Sequence, residues 1–313
     1  YQSPLLKQSV CGLSFDNPVG MAAGFDKAAE LYPFLEKMGF GFVESGTFTA
    51  LAQEGNPKPR IFRFVSDEAL VNRMGFNNPG AEAAARTVAG QARSIPRGIN
   101  IGKSKVVPIE NAADDYLQSL TLLLEYADYV AVNVSSPNTA NLRLLQEASK
   151  IHHLLSVLRK FIDQNSNQSR HPLFVKFAPD LNDDELLSSI EAAQSAGVDG
   201  LILTNTSLDK SKVAGAKDVE GGLSGRPIRH RSTEIIRKAF KATNGQLPII
   251  GVGGIFSADD ALEKIRAGAS LVQIYTGYIY KGPDLPKQIC YGIDRYLEST
   301  NQTLKQIVGC DVA

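Results

Sequence analysis

One polar stretch, VNVSSPNTANLR from Val132 to Arg143, holds two adjacent serines, a residue type that can act as a nucleophile. A serine nucleophile needs an imidazole within reach. The histidines fall in predicted helices or loops: His152, His153, His171 and His230. No GxSxG elbow surrounds the serines. A turn or a helix cap is the plainer interpretation, with Pro137 fixing the backbone. Asn133 and Asn138, whose amides could hold a carboxylate or an imide, keep a catalytic role open.

Two lysines have unusual settings. Lys176 interrupts the apolar run LFVKFAP, and burial of a lysine is costly unless an anion meets it. That anion could be a structural ion-pair partner inside the protein or the negative charge of a bound cofactor. Lys27 is predicted at the start of a helix, where its charge opposes the helix dipole. It could face a ligand or lie on a solvated surface.

Two glycine-rich segments could approach a phosphate. GVGGIFSADD places Gly253 and Gly254 directly before a predicted helix N-terminus, where free backbone amides favour an anion. GGLSGRP, residues 221–227, is predicted to form another glycine-rich turn. Each segment alone could be only a tight turn, but together at one end of a fold they favour phosphate binding.

The elements that must position these residues alternate between short, nearly continuous apolar runs and helical patterns. Such runs are typical of parallel strands covered on both faces. The predicted strands are residues 17–24, 41–46, 98–102, 129–135, 173–178, 200–206, 249–254 and 271–277. The two clearest helices are residues 183–197, closed by Gly197, and 257–269, capped by Ser257 and ended by Gly268.

Eight strands, each followed by a helix, predict an α/β fold of the (β/α)8 TIM-barrel type, with a doubly wound open sheet as the alternative. Residues 47–97 are too long for one βα connection, so we expect an excursion over the barrel mouth, with RIFRFVS as a hairpin strand. The strand ends supply amides, hydroxyls and two lysines but few metal ligands. This inventory favours a planar polar ligand over a metal.

Composition narrows the class of protein further. Lysine and arginine total 33, as do aspartate and glutamate, and this balance disfavours a nucleic-acid surface. Cys11, Cys290 and Cys310 are far apart and predict unpaired thiols. No apolar run reaches the roughly 18 residues of a membrane span, and no signal-peptide pattern is present. No linker is evident, so one domain over residues 1–313 is expected.

Several long motifs together resemble the dihydroorotate dehydrogenase family, most closely its class 2, quinone-dependent branch. They occur in order over nearly the whole chain: NPVGMAAGFDK, GFGFVESGT, GNPKPRIFR, NRMGFNN, GINIGK, NVSSPNTANLR, VKFAPDL, TNT, GGLSGRP, IIGVGGI and VQIYTG. Class 1 members carry cysteine at the position of Ser136. Met74 replaces a tyrosine of some eukaryotic members, which points to a bacterial source.

The resemblance implies a barrel that oxidises dihydroorotate to orotate in pyrimidine synthesis on bound FMN, with a quinone as acceptor. The implied cofactor residues are Ala23, Gly24, Lys27, Thr47, Asn100, Asn133, Lys176, Thr204, Gly225, Gly254, Tyr275 and Thr276. The implied substrate residues are Lys27, Asn72, Arg73, Met74, Gly75, Phe76, Asn133, Asn138, Asn205 and Thr206. Arg63 and Tyr275 match residues on the quinone side, and no metal is implied.

The same resemblance gives the serine a role. Ser136 resembles the base that accepts the substrate's proton, although a hydroxyl is too weak a base to keep it. We therefore expect Ser136 to relay the proton to a water positioned by Thr139 and Phe76. Lys176 is expected to stabilise the negative charge of the reduced flavin.

Class 2 members also carry an amphipathic helical extension that docks on the membrane and forms the quinone tunnel. Only about sixteen residues precede NPVG here, and we expect such a segment to be missing from the sequence. The expected protein is a monomer, peripheral to a bacterial inner membrane on its cytoplasmic face, or to the mitochondrial inner membrane in a eukaryote. The rivals are a soluble fumarate-dependent dihydroorotate dehydrogenase, an FMN-dependent tRNA dihydrouridine synthase and a phosphate-sugar barrel without flavin.

Overall fold

Strands and helices alternate along most of the chain in this computed structural model, which describes residues 1–139, 141–166 and 170–312. The strands are β1 (Gln8–Val10), β2 (Leu13–Phe15), β3 (Val19–Met21), β4 (Phe42–Phe48), β5 (Ile61–Phe64), β6 (Ala69–Asn72), β7 (Arg97–Ile101), β8 (Tyr129–Asn133), β9 (Leu173–Phe177), β10 (Gly200–Leu203), β11 (Gly222–Gly225), β12 (Ile249–Val252) and β13 (Leu271–Ile274). The α-helices are α1 (Tyr32–Lys37), α2 (Ala81–Ala89), α3 (Ala112–Leu123), α4 (Ala148–Asn165), α5 (Asp183–Ser195), α6 (Arg229–Ala242), α7 (Ala258–Arg266), α8 (Thr276–Lys281), α9 (Leu285–Thr300) and α10 (Leu304–Ile307).

Eight of these strands close into a parallel barrel. Its circular order is β3, β4, β7, β8, β9, β10, β12, β13 and back to β3, so neighbours in the barrel are also neighbours in the chain. All eight are buried along their whole length, because helices cover the outside and side chains fill the inside. The predicted (β/α)8 barrel is confirmed, and the alternative of an open sheet is wrong. Each predicted strand is present near its expected position.

The two helices singled out in the sequence begin and end where their caps require. α5 starts with a capping box in which Asn182 Oδ1 accepts from the Glu185 amide at 2.9 Å and Glu185 Oε2 accepts from the Asn182 amide at 3.0 Å. In α7, Ser257 Oγ accepts from the Asp260 amide at 3.2 Å. Gly268 follows that helix with φ +123°, a conformation that other residues rarely adopt.

The excursion over the barrel mouth is an antiparallel sheet of three strands, in the order β11, β6, β5. RIFRFVS supplies β5, as predicted. The prediction for GGLSGRP was wrong, because Gly222–Gly225 is a strand that pairs with Ala69–Asn72 rather than a turn. Glycine-rich sequence has little intrinsic preference for strands. The pairing comes from β6, a partner about 150 residues earlier in the chain.

A β-hairpin that the sequence reading missed closes the other end of the barrel. β1 and β2 are joined at Cys11 and Gly12, which both have positive φ, as in the favoured two-residue hairpin turns. Cys11 Sγ donates to the carbonyl of Asp199, which directly precedes β10. Phe15 packs edge-to-face on Phe42 of β4 with ring centroids 5.4 Å apart. The carboxyl ends of the strands are left to form the open mouth.

The polar and apolar parts of the barrel interior are separated along its axis. Side chains near the hairpin are apolar, including Phe42, Tyr129 and Phe174 in one buried cluster.

No helix in the described part of the chain is long and apolar enough to cross a membrane.

Candidate active site

A cavity that is partly open to solvent occupies the carboxyl ends of the barrel strands. Its walls come from seven barrel strands or the loops that follow them, and from β6 and β11 of the sheet over the mouth. Active sites of α/β barrels are built at this end of the strands. The fold therefore brings together residues that are far apart in the sequence.

Most of the predicted site residues line this one cavity. The cofactor residues among them are Ala23, Gly24, Lys27, Thr47, Asn133, Lys176, Thr204, Gly225, Gly254, Tyr275 and Thr276. The substrate and catalytic residues among them are Asn72, Met74, Gly75, Phe76, Asn138, Asn205, Thr206 and Ser136. Their placement meets the geometric requirement for the predicted roles, which remain predictions.

Three predicted residues do not line the cavity. Asn100 lies fully buried beneath it and reaches it through a hydrogen bond to Thr47. Arg73 lies on the outer side of the mouth and pairs with Glu220 at 3.3 Å. Arg63 is exposed on β5, the outer strand of the three-stranded sheet, because alternate residues of a strand point to opposite faces.

A chain of side-chain hydrogen bonds forms the cavity floor. Glu44 Oε1 accepts from Asn100 Nδ2 at 2.8 Å, and Asn100 Oδ1 accepts from Thr47 Oγ1 at 2.6 Å. Thr47 Oγ1 accepts from Asn133 Nδ2 at 3.1 Å, and Asn133 Oδ1 accepts from Asn205 Nδ2 at 3.2 Å. The polar groups of four barrel strands and their loops are therefore held in one defined orientation.

Glu44 and Gln273 belong to this floor, although the sequence reading passed over both. Glu44 is fully buried and also accepts from Tyr129 Oη at 3.1 Å and Gln273 Nε2 at 2.8 Å. Gln273 lines the cavity, and its buried Oε1 has no hydrogen-bond partner among the described residues. An unpaired buried acceptor beside a cavity fits a ligand that donates a hydrogen bond.

Lys176 projects from β9 into the same cavity with only 5% of its surface exposed. Burial lowers the pKa of its ammonium, and the more distant charge of Glu44 opposes that shift. No carboxylate lies within ion-pair distance of Lys176 in the described part of the chain. The structural ion pair considered from the sequence is therefore absent at contact distance, and a ligand anion remains the better counter-charge.

Lys27 lines the opposite side of the cavity in the loop that follows β3. Its prediction at a helix start was wrong, because the next helix, α1, begins only at Tyr32. Burial, assisted by the charge of Arg60, lowers its pKa to about 8. A lysine in this state can change protonation near neutral pH.

One end of the cavity presents free backbone amides. Within the described residues, the N–H groups of Gly254, Ile255, Thr276 and Gly277 donate to no protein acceptor. Gly254 has φ +71°, and a Cβ there would lie 2.5 Å from Arg229 Cβ. Residue 254 must therefore be glycine for this loop to pack against the start of α6. This arrangement fits a phosphate.

The helix at this end is not the predicted one. α7 begins at Ala258, four residues beyond Gly254, and the amide of Phe256 before it is already bonded to Asp260 Oδ2 at 2.9 Å. The helix that starts at the cavity wall is α8, at Thr276. Gly254 follows β12 and helix α8 follows β13. These two strands are neighbours in the barrel, which brings the glycine and the start of the helix together.

Ser136 combines the two interpretations that its sequence left open. Its Oγ accepts from the Asn138 amide at 3.3 Å, which is a turn-stabilising role. It also lines the cavity, where no histidine is found among the described lining residues. A serine–histidine nucleophile is therefore not formed here. The same serine borders an outer groove that contains Thr139.

The described residues contain no group of three or more His, Cys, Asp or Glu that could hold a metal ion. What the cavity offers instead is two lysines, several side-chain amides and an end with free backbone N–H groups. Fold and site thus define an α/β-barrel protein whose mouth has the shape and polar groups to suit a polar ligand with an anionic group.

The comparisons give this class a family. The family model described as Dihydroorotate dehydrogenase matches residues 5–297, and the chain belongs to the dihydroorotate dehydrogenase family. The Dihydroorotate dehydrogenase (quinone) of Gloeobacter violaceus is 49% identical over 99% of this chain and 87% of its own length. The protein of the same name from Synechococcus elongatus is 50% identical over 96% of this chain and 81% of its own.

Solved structures agree with this assignment. The ligand-free enzyme of this family from Eimeria tenella superposes with a TM-score of 0.94 at 38% identity, covering 100% of this chain and 93% of its own. Its complex with ferulenol gives a TM-score of 0.93 at 38% identity, with 99% and 89% covered. The resemblance recognised from the motifs, including its quinone-dependent branch, is confirmed.

Proposed function

We propose that this protein oxidises dihydroorotate to orotate in pyrimidine biosynthesis, with FMN bound in the cavity and a quinone as the final electron acceptor. Family membership over nearly the whole chain supports the reaction. One observation supports this cavity as the place where the reaction occurs. The buried, unpaired Lys176 ammonium and the free amides at Gly254 face the same cavity.

The cavity suits FMN at both of its ends. The amides of Gly254, Ile255, Thr276 and Gly277 would hold the phosphate, which carries up to two negative charges. Lys176 and Gln273 would meet the polar edge of the isoalloxazine ring, one as a cation and the other as an acceptor. When bound, FMN supplies an acceptor for the hydride that dihydroorotate loses.

The substrate would lie against a group of four asparagines. Asn138 Nδ2 donates to the carbonyl and to Oδ1 of Asn72, at 3.1 and 3.2 Å, which ties the loop after β8 to the sheet over the mouth. Asn133 and Asn205 are joined through the floor. Such amides can both donate to and accept from the imide and carboxylate of dihydroorotate.

Ser136 would move the substrate's proton rather than keep it, because a hydroxyl is a weak base near neutral pH. Its Oγ accepts one hydrogen bond, from the Asn138 amide. It stands between the cavity and the groove that holds Thr139. A water in that groove could receive the proton and pass it to solvent.

The quinone would approach on the side of Tyr275, whose ring packs edge-to-face on Phe25 at 5.7 Å. Arg63 keeps its proposed role at the quinone entrance rather than in the cavity wall. Because quinones are lipid-soluble, we include peripheral association with a membrane, on the cytoplasmic face of a bacterial inner membrane, and a monomeric state in the proposal.

The test is anaerobic mixing of the yellow protein with dihydroorotate, followed by addition of an acceptor. The proposal expects loss of the flavin absorbance with substrate and its return with a ubiquinone analogue. Fumarate and NAD should restore it far more slowly. A colourless protein would favour the phosphate-sugar barrel, and equal return with fumarate would overturn the quinone assignment.

A further inference from the structure

Lys264, on α7, is a buried cation that the proposed reaction does not use. Its side chain has no exposed surface. The ammonium donates to Arg229 O at 3.3 Å, Ser232 Oγ at 3.1 Å and Thr233 Oγ1 at 3.1 Å. No carboxylate lies within ion-pair distance of it in the described ranges.

The surroundings of Lys264 are built for a protonated amine. Ser232 Oγ donates its own proton to Val252 O at 2.5 Å, and Thr233 Oγ1 donates to Arg229 O at 3.1 Å. Both hydroxyls can therefore only accept from Lys264, as can the Arg229 carbonyl. Three acceptors match the three N–H groups of an ammonium. A neutral amine would leave its lone pair facing an acceptor.

The same three-acceptor cluster supports the glycine end of the cavity. A Cβ on Gly253 would lie 3.1 Å from Ser232 Cβ, and one on Gly254 would lie 2.5 Å from Arg229 Cβ. The residues that hold the ammonium thus pack directly against the loop whose amides are free. The buried charge of Lys264 is therefore bonded to residues that themselves contact this loop.

We propose that Lys264 is the counter-charge of the anion bound at Gly254, so that binding of this anion is coupled to protonation of Lys264. The proposal rests on the proposed function, in which that anion is the phosphate of FMN. No direct contact is required, because a charge acts over longer distances in a medium of low dielectric constant.

The charges around Lys264 leave it without a neutralising partner of its own. On α7, Glu263 and Asp260 raise the pKa of Lys264, and on α6 Arg229 lowers it. Asp260 and Glu263 are themselves paired with Arg229, at 2.5 and 3.6 Å. Burial outweighs these effects and lowers the pKa of Lys264 to about 7.

The coupling has a definite sign. A bound dianion favours the charged lysine and raises its pKa above 7, so above that pH binding must take up a proton. Affinity for the anion then falls as pH rises, by up to about tenfold per pH unit until the raised pKa is reached. The flavin phosphate loses its second proton near a pH of about 6 and therefore stays a dianion over this range.

Equilibrium dialysis of the full chain against FMN or riboflavin, between about pH 7 and pH 9, tests the coupling. Riboflavin has the same ring but no phosphate. For the wild type we expect FMN affinity to fall steeply with pH and riboflavin affinity to change little. Lys264→Met should lower FMN affinity at pH 7 by about tenfold or more and flatten its pH dependence. Lys241→Met, on the exposed face of α6, should behave like the wild type.

The outcomes separate the two proposals. Failure of the wild type to bind FMN at any pH would remove the proposed function. Tight FMN binding with no steeper pH dependence than that of riboflavin would remove only the role of Lys264. If Lys264→Met does not fold, calorimetry of FMN binding to the wild type in buffers of different ionisation enthalpy still decides. Proton uptake near pH 8 with FMN but not with riboflavin supports the coupling, and equal uptake with both ligands, or none, overturns it.

Discussion

Glu44 and Asn100 meet at 2.8 Å inside the barrel, and this hydrogen bond orients the amide of Asn100. A carboxylate can only accept, so the Asn100 NH2 group must point to Glu44 and its carbonyl to Thr47. The Thr47 hydroxyl, which donates to Asn100, accepts from the NH2 group of Asn133. The carbonyl oxygen of Asn133 in turn accepts from Asn205 Nδ2. One buried residue thereby determines which polar atoms the floor offers to a ligand.

Replacing Glu44 by glutamine should disturb this floor. A glutamine carries an NH2 group that would face one of the three donors now bound to Glu44, leaving a buried donor unpaired at a cost of about 1–3 kcal/mol. We expect Glu44→Gln to unfold at a lower temperature and to release FMN faster. Thermal melts and flavin fluorescence measure both, and Glu191→Gln, at an exposed position of α5, is the control. Unchanged flavin release would show that the floor reorganises freely.

The barrel and most of the cavity lining could be predicted because both follow from local sequence. Apolar runs mark the strands, and the residues at their carboxyl ends must converge. Lys176 stood out as a charge within such a run. Glu44, in GFVESG, is the same signal, and the argument used for Lys176 would have found it.

Other parts depended on contacts between distant segments, which no local pattern contains. The β11 strand forms because β6 offers a free edge for pairing. The glycine-rich sequence of β11, taken alone, predicts a turn. The helix at the phosphate end follows β13 rather than β12, and only barrel closure places it beside Gly254. Arg73 shares the motif NRMGFNN with several cavity residues, and Arg63 lies on the neighbouring strand, but the geometry of the excursion turns both outward.

Removing the charge of Lys176 should have opposite effects on stability and on activity. In the flavin-free protein the ammonium is buried without a contact partner, so Lys176→Met should raise the free energy of unfolding by roughly 1 kcal/mol or more. Dihydroorotate oxidation should slow by about 10²–10³-fold, since the cation no longer meets the developing negative charge. Chemical denaturation and anaerobic stopped-flow absorbance measure the two effects. A destabilised variant of normal activity would contradict both.

Ser136 and its neighbour offer a matched pair of substitutions. Ser136→Ala should leave FMN bound and slow the loss of flavin absorbance by about 10²–10⁴-fold, because the substrate proton loses its acceptor. Ser135→Ala removes a buried hydroxyl that accepts from Asn205 at 3.0 Å but does not line the cavity. Its main effect should be on KM. Equal rates for the wild type and Ser136→Ala would exclude the proton relay.

Ser136→Cys tests the same relay through pH. A thiol has an ordinary pKa of about 8.5, so the thiolate fraction grows as pH rises through that value. Flavin reduction by this variant should therefore accelerate between neutral and alkaline pH more steeply than in the wild type. Stopped-flow rates at saturating dihydroorotate measure this slope. Matching slopes would mean that residue 136 does not carry the proton.

Lys27 should make substrate binding depend on pH. Its pKa is lowered to about 8, first by burial and then by Arg60, so the ammonium is charged below that pH and neutral above it. Dihydroorotate carries a carboxylate and binds the charged form better. KM, measured with FMN in saturating excess, should therefore rise with pH above about 8, by up to tenfold per unit.

Lys27→Met should raise KM at pH 7 by about 10–100-fold, which corresponds to loss of a hydrogen bond to a charged group. It should also remove the rise in KM above pH 8, whereas Lys37→Met, exposed at the end of α1, should keep it. Profiles of steady-state KM against pH measure the effect of Lys27. Equilibrium dialysis with FMN and riboflavin measures flavin binding separately, and so shows any effect of Lys264. If KM still rises with pH in Lys27→Met, the titrating group is another residue, and the ammonium of Lys27 does not hold the substrate carboxylate.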